Sequence, residues 1–190
     1  MNETPPKTGK PPHGPFGLSG TAQPQLLDSY LSRPAEQLVL EGYRGWTTSF
    51  INRSHEPLEE TWNLYVMAFD GNHAQIAFDA FKRFIKTLGM CSGCPLKTHY
   101  SGSQNICRDE VMVLGLISAL QHGDEEAAKL CLTHLACPSL CGDVENAACE
   151  LAVTLRSLGQ TLLPMPAHVI ERLPEYDVHA FHDNKSKTLH

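Results

Sequence analysis

The sequence predicts an all-α protein: a single compact bundle of about six or seven short helices arranged as hairpins. Three observations support this fold class. Apolar residues recur at helical spacing along most of the central chain, and short segments rich in Gly, Pro, Asp and Asn separate these stretches. Almost no stretch alternates apolar and polar residues, as a half-buried strand does.

Composition divides the 190 residues into three parts. Residues 1–25 are rich in Pro, Gly, Ser and Thr, and we expect them to be disordered because they cannot bury enough apolar surface to offset the entropy of ordering. Residues 26–173 form the predicted helical domain, and its cysteine-rich half is 91–149. Residues 174–190 are polar and are predicted to be a mobile C-terminal tail.

The first helix is predicted over Ala35–Arg53, where a broad apolar stripe follows the helical period. Gly42 and Gly45 lie inside that stripe and argue against one unbroken helix. Ser54 is predicted to cap a second helix that runs to Phe69.

The third helix is predicted over His73–Leu88 and ends at Gly89. Asn72, with Gln75 three residues later, predicts a capping box at its start. The next segment, Cys91–Ile106, holds two Gly, one Pro and several Ser, so we predict an irregular loop.

Helical signals resume at Arg108–His122, which has a strongly apolar middle. Two further helices begin after aspartates that can accept hydrogen bonds from the first turn, and a short helix ends the domain. These elements are Asp124 with Glu125–Ala136, Asp143 with Val144–Leu158, and Pro166–Leu173.

Bulk properties exclude several functional classes. The formal net charge of −6 argues against nucleic-acid binding, which needs clustered Lys and Arg. No apolar run approaches the roughly 20 residues that span a bilayer, and the first residues hold no signal-peptide pattern. We therefore expect no membrane association, a cytoplasmic location and thiols that stay reduced.

All seven cysteines lie between residues 91 and 149. They form two groups of three, with Cys149 alone on a helix. The groups are Cys91, Cys94 and Cys107, and then Cys131, Cys137 and Cys141. A C-x-x-C step lets two thiolates converge on one ion, and a third cysteine with His99 or a member of the second group completes four ligands. The pattern therefore predicts a site for zinc or an iron–sulfur cluster.

Charge changes sign inside the cysteine-rich half. No Asp or Glu occurs in Ala80–Arg108, whereas residues 109–150 carry eight acidic side chains and the single cation Lys129. Positive charge near cysteines lowers thiolate pKa values and stabilises a metal–thiolate centre. The two segments are expected to attract each other, unless both are simply solvated helix surfaces.

Three functions remain open at this point. The favoured one is a structural, sensory or regulatory metal or iron–sulfur protein without turnover, because closed sulfur coordination suits that purpose. The second is a thiol-dependent redox enzyme that uses Cys91 and Cys94 as nucleophile and resolving thiol. The third is a helical adaptor with ordinary core cysteines, and a protein partner or a homo-oligomer is compatible with all three.

A helical chain with C-x-x-C and a downstream histidine resembles the alkylhydroperoxidase-like group, in which C-x-x-C-x-x-x-H carries peroxide reduction. In this sequence His99 comes one residue later than in that pattern. The likeness covers only Cys91–His99, so it does not assign the chain to that family.

Overall fold

The computed structural model describes residues 30–90, 96–103, 105–172 and 187–189, the last three by their backbone alone. These residues form seven α-helices and two three-residue strands, which confirms the predicted all-α bundle. The elements are α1 Pro34–Asn52, α2 Glu56–Ala68, α3 Gly71–Gly89, β1 Leu96–Thr98, α4 Arg108–His122, α5 Glu125–Leu135, α6 Cys141–Ser157, α7 Ala167–Arg172 and β2 Lys187–Leu189.

Helix α4 forms the centre of the bundle. Every residue from Val111 to Ala119 is buried, so this helix is apolar on all sides rather than along one stripe. Helices α5 and α6 pack against it, and α1 and β1 contact it as well. Its first turn, which carries Asp109 and Glu110, therefore lies inside the protein.

Helix α3 packs against α6 and joins the two halves of the chain. Its apolar stripe, which includes Phe81 and Phe84, is fully buried. On the outside, Arg83 Nε donates to Glu150 Oε2 at 2.9 Å. This ion pair links the basic segment to the acidic one, although both side chains are about half exposed and contribute little to stability.

Helix α1 is unbroken, so the expectation that its glycines interrupt it is wrong. A Cβ atom on Gly45 would collide with Thr61 Oγ1 and lie 2.8 Å from the Pro57 carbonyl oxygen. A Cβ atom on Gly42 would lie 2.9 Å from the ring of Phe81. Both glycines serve close helix packing rather than a turn.

The predicted N-caps of α2 and α3 differ from the structure. Ser54 was the predicted cap of α2, but His55, one residue later, occupies the N-cap position. In α3 the cap is Asp70, whose carboxylate accepts from the His73 backbone N–H at 3.2 Å. Asp70 has the extended backbone that an N-cap requires, whereas Asn72 already lies in the helix.

Helix α6 also begins earlier than predicted. It starts at Cys141, so Asp143 lies in its first turn instead of capping it. The Cys137 carbonyl accepts from the backbone N–H groups of Leu140 and Cys141, and this turn leads directly into the helix. The predicted Asp124 cap of α5 is confirmed by a 3.0 Å bond from the Ala127 N–H.

Two short strands were not expected. Leu96–Thr98 lies in the predicted loop and pairs antiparallel with Lys187–Leu189 in the predicted mobile tail. The other residues of both predicted tails fall mostly outside the described part of the chain. None of the described helices is long and apolar enough to cross a membrane.

Candidate functional site

The polar centre of the protein is a buried ion pair between α1 and α4. Arg44 Nε lies 2.8 Å from Glu110 Oε1, and Arg44 Nη2 lies 3.2 Å from Glu110 Oε2. Both side chains are at most 1% exposed. Burial opposes the charge of Arg44, but the hydrogen bond and attraction from Glu110 outweigh it and raise the arginine pKa.

Glu110 also holds the segment that leads into α4. Its Oε1 accepts from Thr98 Oγ1 and from the His99 backbone N–H, both at 2.9 Å. Its Oε2 accepts from the Cys107 backbone N–H at 2.9 Å. Arg44 completes the arrangement by donating to the Ser103 carbonyl oxygen at 2.8 Å. One buried carboxylate thus fixes the chain on both sides of residue 104.

A second carboxylate, Asp109, lies beside the first. Its Oδ2 accepts from the Lys97 backbone N–H at 2.7 Å, and its Oδ1 lies 2.8 Å from His134 Nε2. The His134 side chain is 27% exposed and the Asp109 side chain 12%. An aspartate that holds one imidazole nitrogen in this way orients the ring and leaves Nδ1 for proton transfer.

Cys107 is a buried thiol in this same cluster. Its Sγ donates to the Lys97 carbonyl oxygen at 3.3 Å, and Tyr43 Oη donates to the same oxygen at 3.0 Å. Burial, and then the carboxylate of Glu110, raise the Cys107 pKa well above its ordinary value. These surroundings therefore favour the protonated form of the thiol.

His99, the predicted fourth ligand, is nearly buried and is tied to Glu110 through its backbone N–H. It thus belongs to the same cluster as Cys107. Cys91 and Cys94 lie in 91–95, outside the described residues, so the structure does not test their convergence with these two.

The second cysteine group is dispersed. Cys131 is fully buried in α5 with its Sγ close to Gly115 of α4. Cys141 lies at the start of α6, where its Sγ contacts the Ala136 carbonyl oxygen at 3.7 Å. Cys137 is half-buried in the preceding turn. Among the described residues, no three His, Cys, Asp or Glu side chains are grouped so that they could hold a metal ion.

An open groove of about 530 Å³ runs between α3 and α6. Most of its lining residues have polar or charged side chains, including Arg83, Lys86, Asn146 and Glu150, and it reaches Met90 at the end of the described chain before the cysteine pair. This groove therefore adjoins the point where the chain leads into Cys91.

Several residues of this cluster were not predicted as functional. No role was predicted for Arg44 or His134, and Asp109 and Glu110 were counted only as part of an acidic segment. One signal was present in the sequence: Glu110 follows Cys107 by three residues, which is the spacing of a capping box. The contacts with Arg44 and His134 join residues far apart in the chain, and no local pattern indicates them.

The sequence and the fold give no relative from which a role could be transferred. No protein-family model, no curated protein and no solved structure matches this chain.

Proposed function

We propose that the protein is a thiol-dependent redox enzyme in which Cys91 and Cys94 exchange electrons with a disulfide substrate. The observation that supports this proposal best is the Asp109–His134 pair, whose aspartate also binds the Lys97 backbone N–H. It provides an oriented base close to the point where the chain leaves the cysteine pair.

Covalent geometry supports the proximity of base and thiol. Cys94 precedes Lys97 by three residues, and three trans peptide links span at most about 11 Å. Because Asp109 holds the Lys97 backbone N–H, this length of chain limits how far Cys94 can lie from the Asp109–His134 pair. A base within one hydrogen bond or one water of a thiol raises its thiolate fraction and hence its reactivity.

The proposed reaction is thiol–disulfide exchange. His134 Nδ1 takes the proton of Cys91, and the thiolate attacks one sulfur of the substrate disulfide. The substrate S–S bond breaks, a mixed disulfide forms, and the leaving thiolate is protonated. The thiolate of Cys94 then attacks the Cys91 sulfur, which releases the second substrate thiol. The substrate gains two electrons and two protons, and Cys91 with Cys94 loses the same number.

The surroundings of Cys107 support this proposal over the metal or iron–sulfur site, because its Sγ is buried and donates to the Lys97 carbonyl oxygen. A thiolate at Cys107 would be buried beside Glu110 and Asp109, and its repulsion from them adds to the cost of burial. Without Cys107, the first cysteine group supplies only Cys91 and Cys94, which is enough for a disulfide but leaves two of four metal ligands to come from elsewhere. A reducing compartment such as the cytoplasm would keep the pair in its dithiol form.

The test measures how fast the reduced protein reacts with an aromatic disulfide that releases a coloured thiolate. His134→Gln keeps a donor for Asp109 but removes the base, so we expect the reaction at neutral pH to slow by about a hundredfold. Cys91→Ser should abolish the rapid release of the coloured thiolate. Cys94→Ser should trap the mixed disulfide between Cys91 and the substrate.

His73→Gln is the matched control. His73 Nδ1 lies 2.8 Å from Asp70 Oδ1 in an exposed pair on the first turn of α3, at the far end of that helix from Cys91. Its replacement should leave the rate unchanged. Equal rates for the two glutamine variants would refute the role of His134. Stoichiometric zinc, or the brown colour of an iron–sulfur cluster after anaerobic purification, would instead support the metal site.

A further inference from the structure

In sequence, strand β1 lies between the cysteine pair and the two buried carboxylates, and its backbone hydrogen-bonding groups face two ways. The backbone N–H groups of Lys97 and His99 donate to Asp109 and Glu110. The Lys97 carbonyl oxygen accepts from Tyr43 and Cys107, again on the side of the protein interior. The inner edge of β1 is therefore closed by side chains.

The outer edge of β1 is closed by the chain's own C-terminal strand. Leu96 is opposite Leu189, Lys97 opposite Thr188 and Thr98 opposite Lys187. Successive backbone groups alternate in direction along a strand, so Leu96 and Thr98 point their N–H and C=O groups towards β2. By the same alternation, Leu189 points its N–H towards β1, whereas Thr188 points away from it.

We propose that the outer edge of β1 is a binding site for an extended polypeptide, which β2 occupies in the absence of a partner. An incoming segment would replace β2, pair antiparallel with Leu96–Thr98 and be recognised mainly through its main chain. Resting on the function proposed above, this makes the substrate disulfide part of a polypeptide.

The occupancy by β2 is the main argument for this partner. In the described part of the C-terminal segment, three residues pair with β1, and residues 173–186 separate them from α7 in sequence. Strand β2 also contacts α1. A second extended segment at the same edge of β1 could therefore pack against α1 as well. When β2 leaves, the backbone groups of Leu96 and Thr98 lose their partners, which makes the empty edge favourable for another strand.

The test uses the full chain with Cys91→Ser and Cys94→Ser, so that binding is measured without redox chemistry. The probe is a fluorescent synthetic peptide with the sequence of residues 183–190, followed by anisotropy. Leu189→Pro removes the N–H that faces β1 and should release β2. Because a tethered strand competes at an effective concentration near millimolar, we expect the probe to bind this variant about tenfold more tightly than the parent chain.

Thr188→Pro is the control, since the lost N–H faces away from β1, and it should bind the probe as the parent does. Methylation of the peptide amide at the Leu189 position should abolish binding, whereas methylation at the Thr188 position should not. Equal binding to all three proteins, the opposite methylation pattern, or dimerisation of the Leu189→Pro chain without probe binding would overturn the proposal. A positive result with no thiol reactivity in the unsubstituted protein would reject the redox function alone.

Discussion

At the scale of single residues, Glu110 has the largest structural role. Its carboxylate meets Arg44 and also accepts from Thr98, His99 and Cys107. A buried ion pair is seldom more stabilising than an apolar pair of similar size, because both charges lose their water. The benefit here is specificity: one carboxylate with five donors selects a single arrangement of the chain before α4.

Glu110→Gln should therefore destabilise the fold strongly. It leaves the buried Arg44 with only the partly exposed Glu41, 2.9 Å from its Nη1, as a counter-charge, and it turns an amide N–H₂ group towards other donors. We expect a loss of about 3 kcal/mol in the free energy of unfolding, measured by urea denaturation. Glu150→Gln makes the same change in the half-exposed pair with Arg83 and should cost less than about 1 kcal/mol. Similar losses in the two variants would contradict the assigned role of Glu110.

Cys131 should make stability depend on alkaline pH. Burial, and then Asp124, raise the pKa of this thiol to about 12 from 9.0. Below pH 9.0 both states hold the proton, but above it the unfolded chain loses the proton first. We expect the free energy of unfolding to fall by about 1 kcal/mol per pH unit more in the native protein than in Cys131→Ala.

The measurement is urea denaturation at several pH values from 8 to 11. Buried Tyr43 and Tyr65 titrate equally in both proteins, so the difference between the slopes isolates the thiol. Cys149→Ala removes an exposed thiol instead and should keep the native slope. A native slope in Cys131→Ala would show that Cys131 does not hold its proton in the folded state.

At the scale of elements, the crossing of α1 and α2 depends on one glycine. A methyl group on Gly45 would collide with Thr61 and approach the Pro57 carbonyl oxygen, which is backbone and cannot rotate away. Gly45→Ala should therefore cost about 2 kcal/mol, although alanine is the better helix former. Gly71→Ala has no atom within 4 Å of the added methyl group and should be neutral or slightly stabilising. Thermal unfolding of both variants tests this, and an equally mild Gly45→Ala would mean that the helices can separate without penalty.

The helices could be predicted because their cause is local. Amphipathic stripes and breakers such as Gly123 appear in the sequence, and the predicted ranges of α4 and α5 agree with the structure to within one residue. Cap positions depended on backbone angles that similar residues, such as Asp70 and Asn72, can adopt equally well. Strand β1 could not be predicted, because three residues are too few to show the apolar–polar alternation of a strand. Its partner strand also lies about 90 residues away in the sequence.

At the scale of the whole molecule, the elements of the site come from distant parts of the chain. The cysteine spacing predicted thiol chemistry, and that prediction is still to be tested, whereas the Asp109–His134 pair joins α4 to α5 through tertiary contact alone. The apolar pattern that predicts these two helices does not report which polar side chains face each other across them. Sequence reasoning therefore predicted the candidate nucleophiles but not the base that we propose for them.

The same long-range contacts predict that the described domain unfolds as one unit. Trp46 and Trp62 lie in α1 and α2, so their fluorescence reports the N-terminal helices, while far-ultraviolet circular dichroism reports all of them. Helix α1 is joined to α4 by the Arg44–Glu110 pair, and α3 packs against α6, so neither half keeps its buried surface alone. We expect the fluorescence and dichroism transitions to have the same urea midpoint and the same dependence of the free energy of unfolding on urea concentration. A fluorescence transition that precedes the dichroism change would mean that α1 and α2 separate first, and that the buried pair does not couple them to the rest.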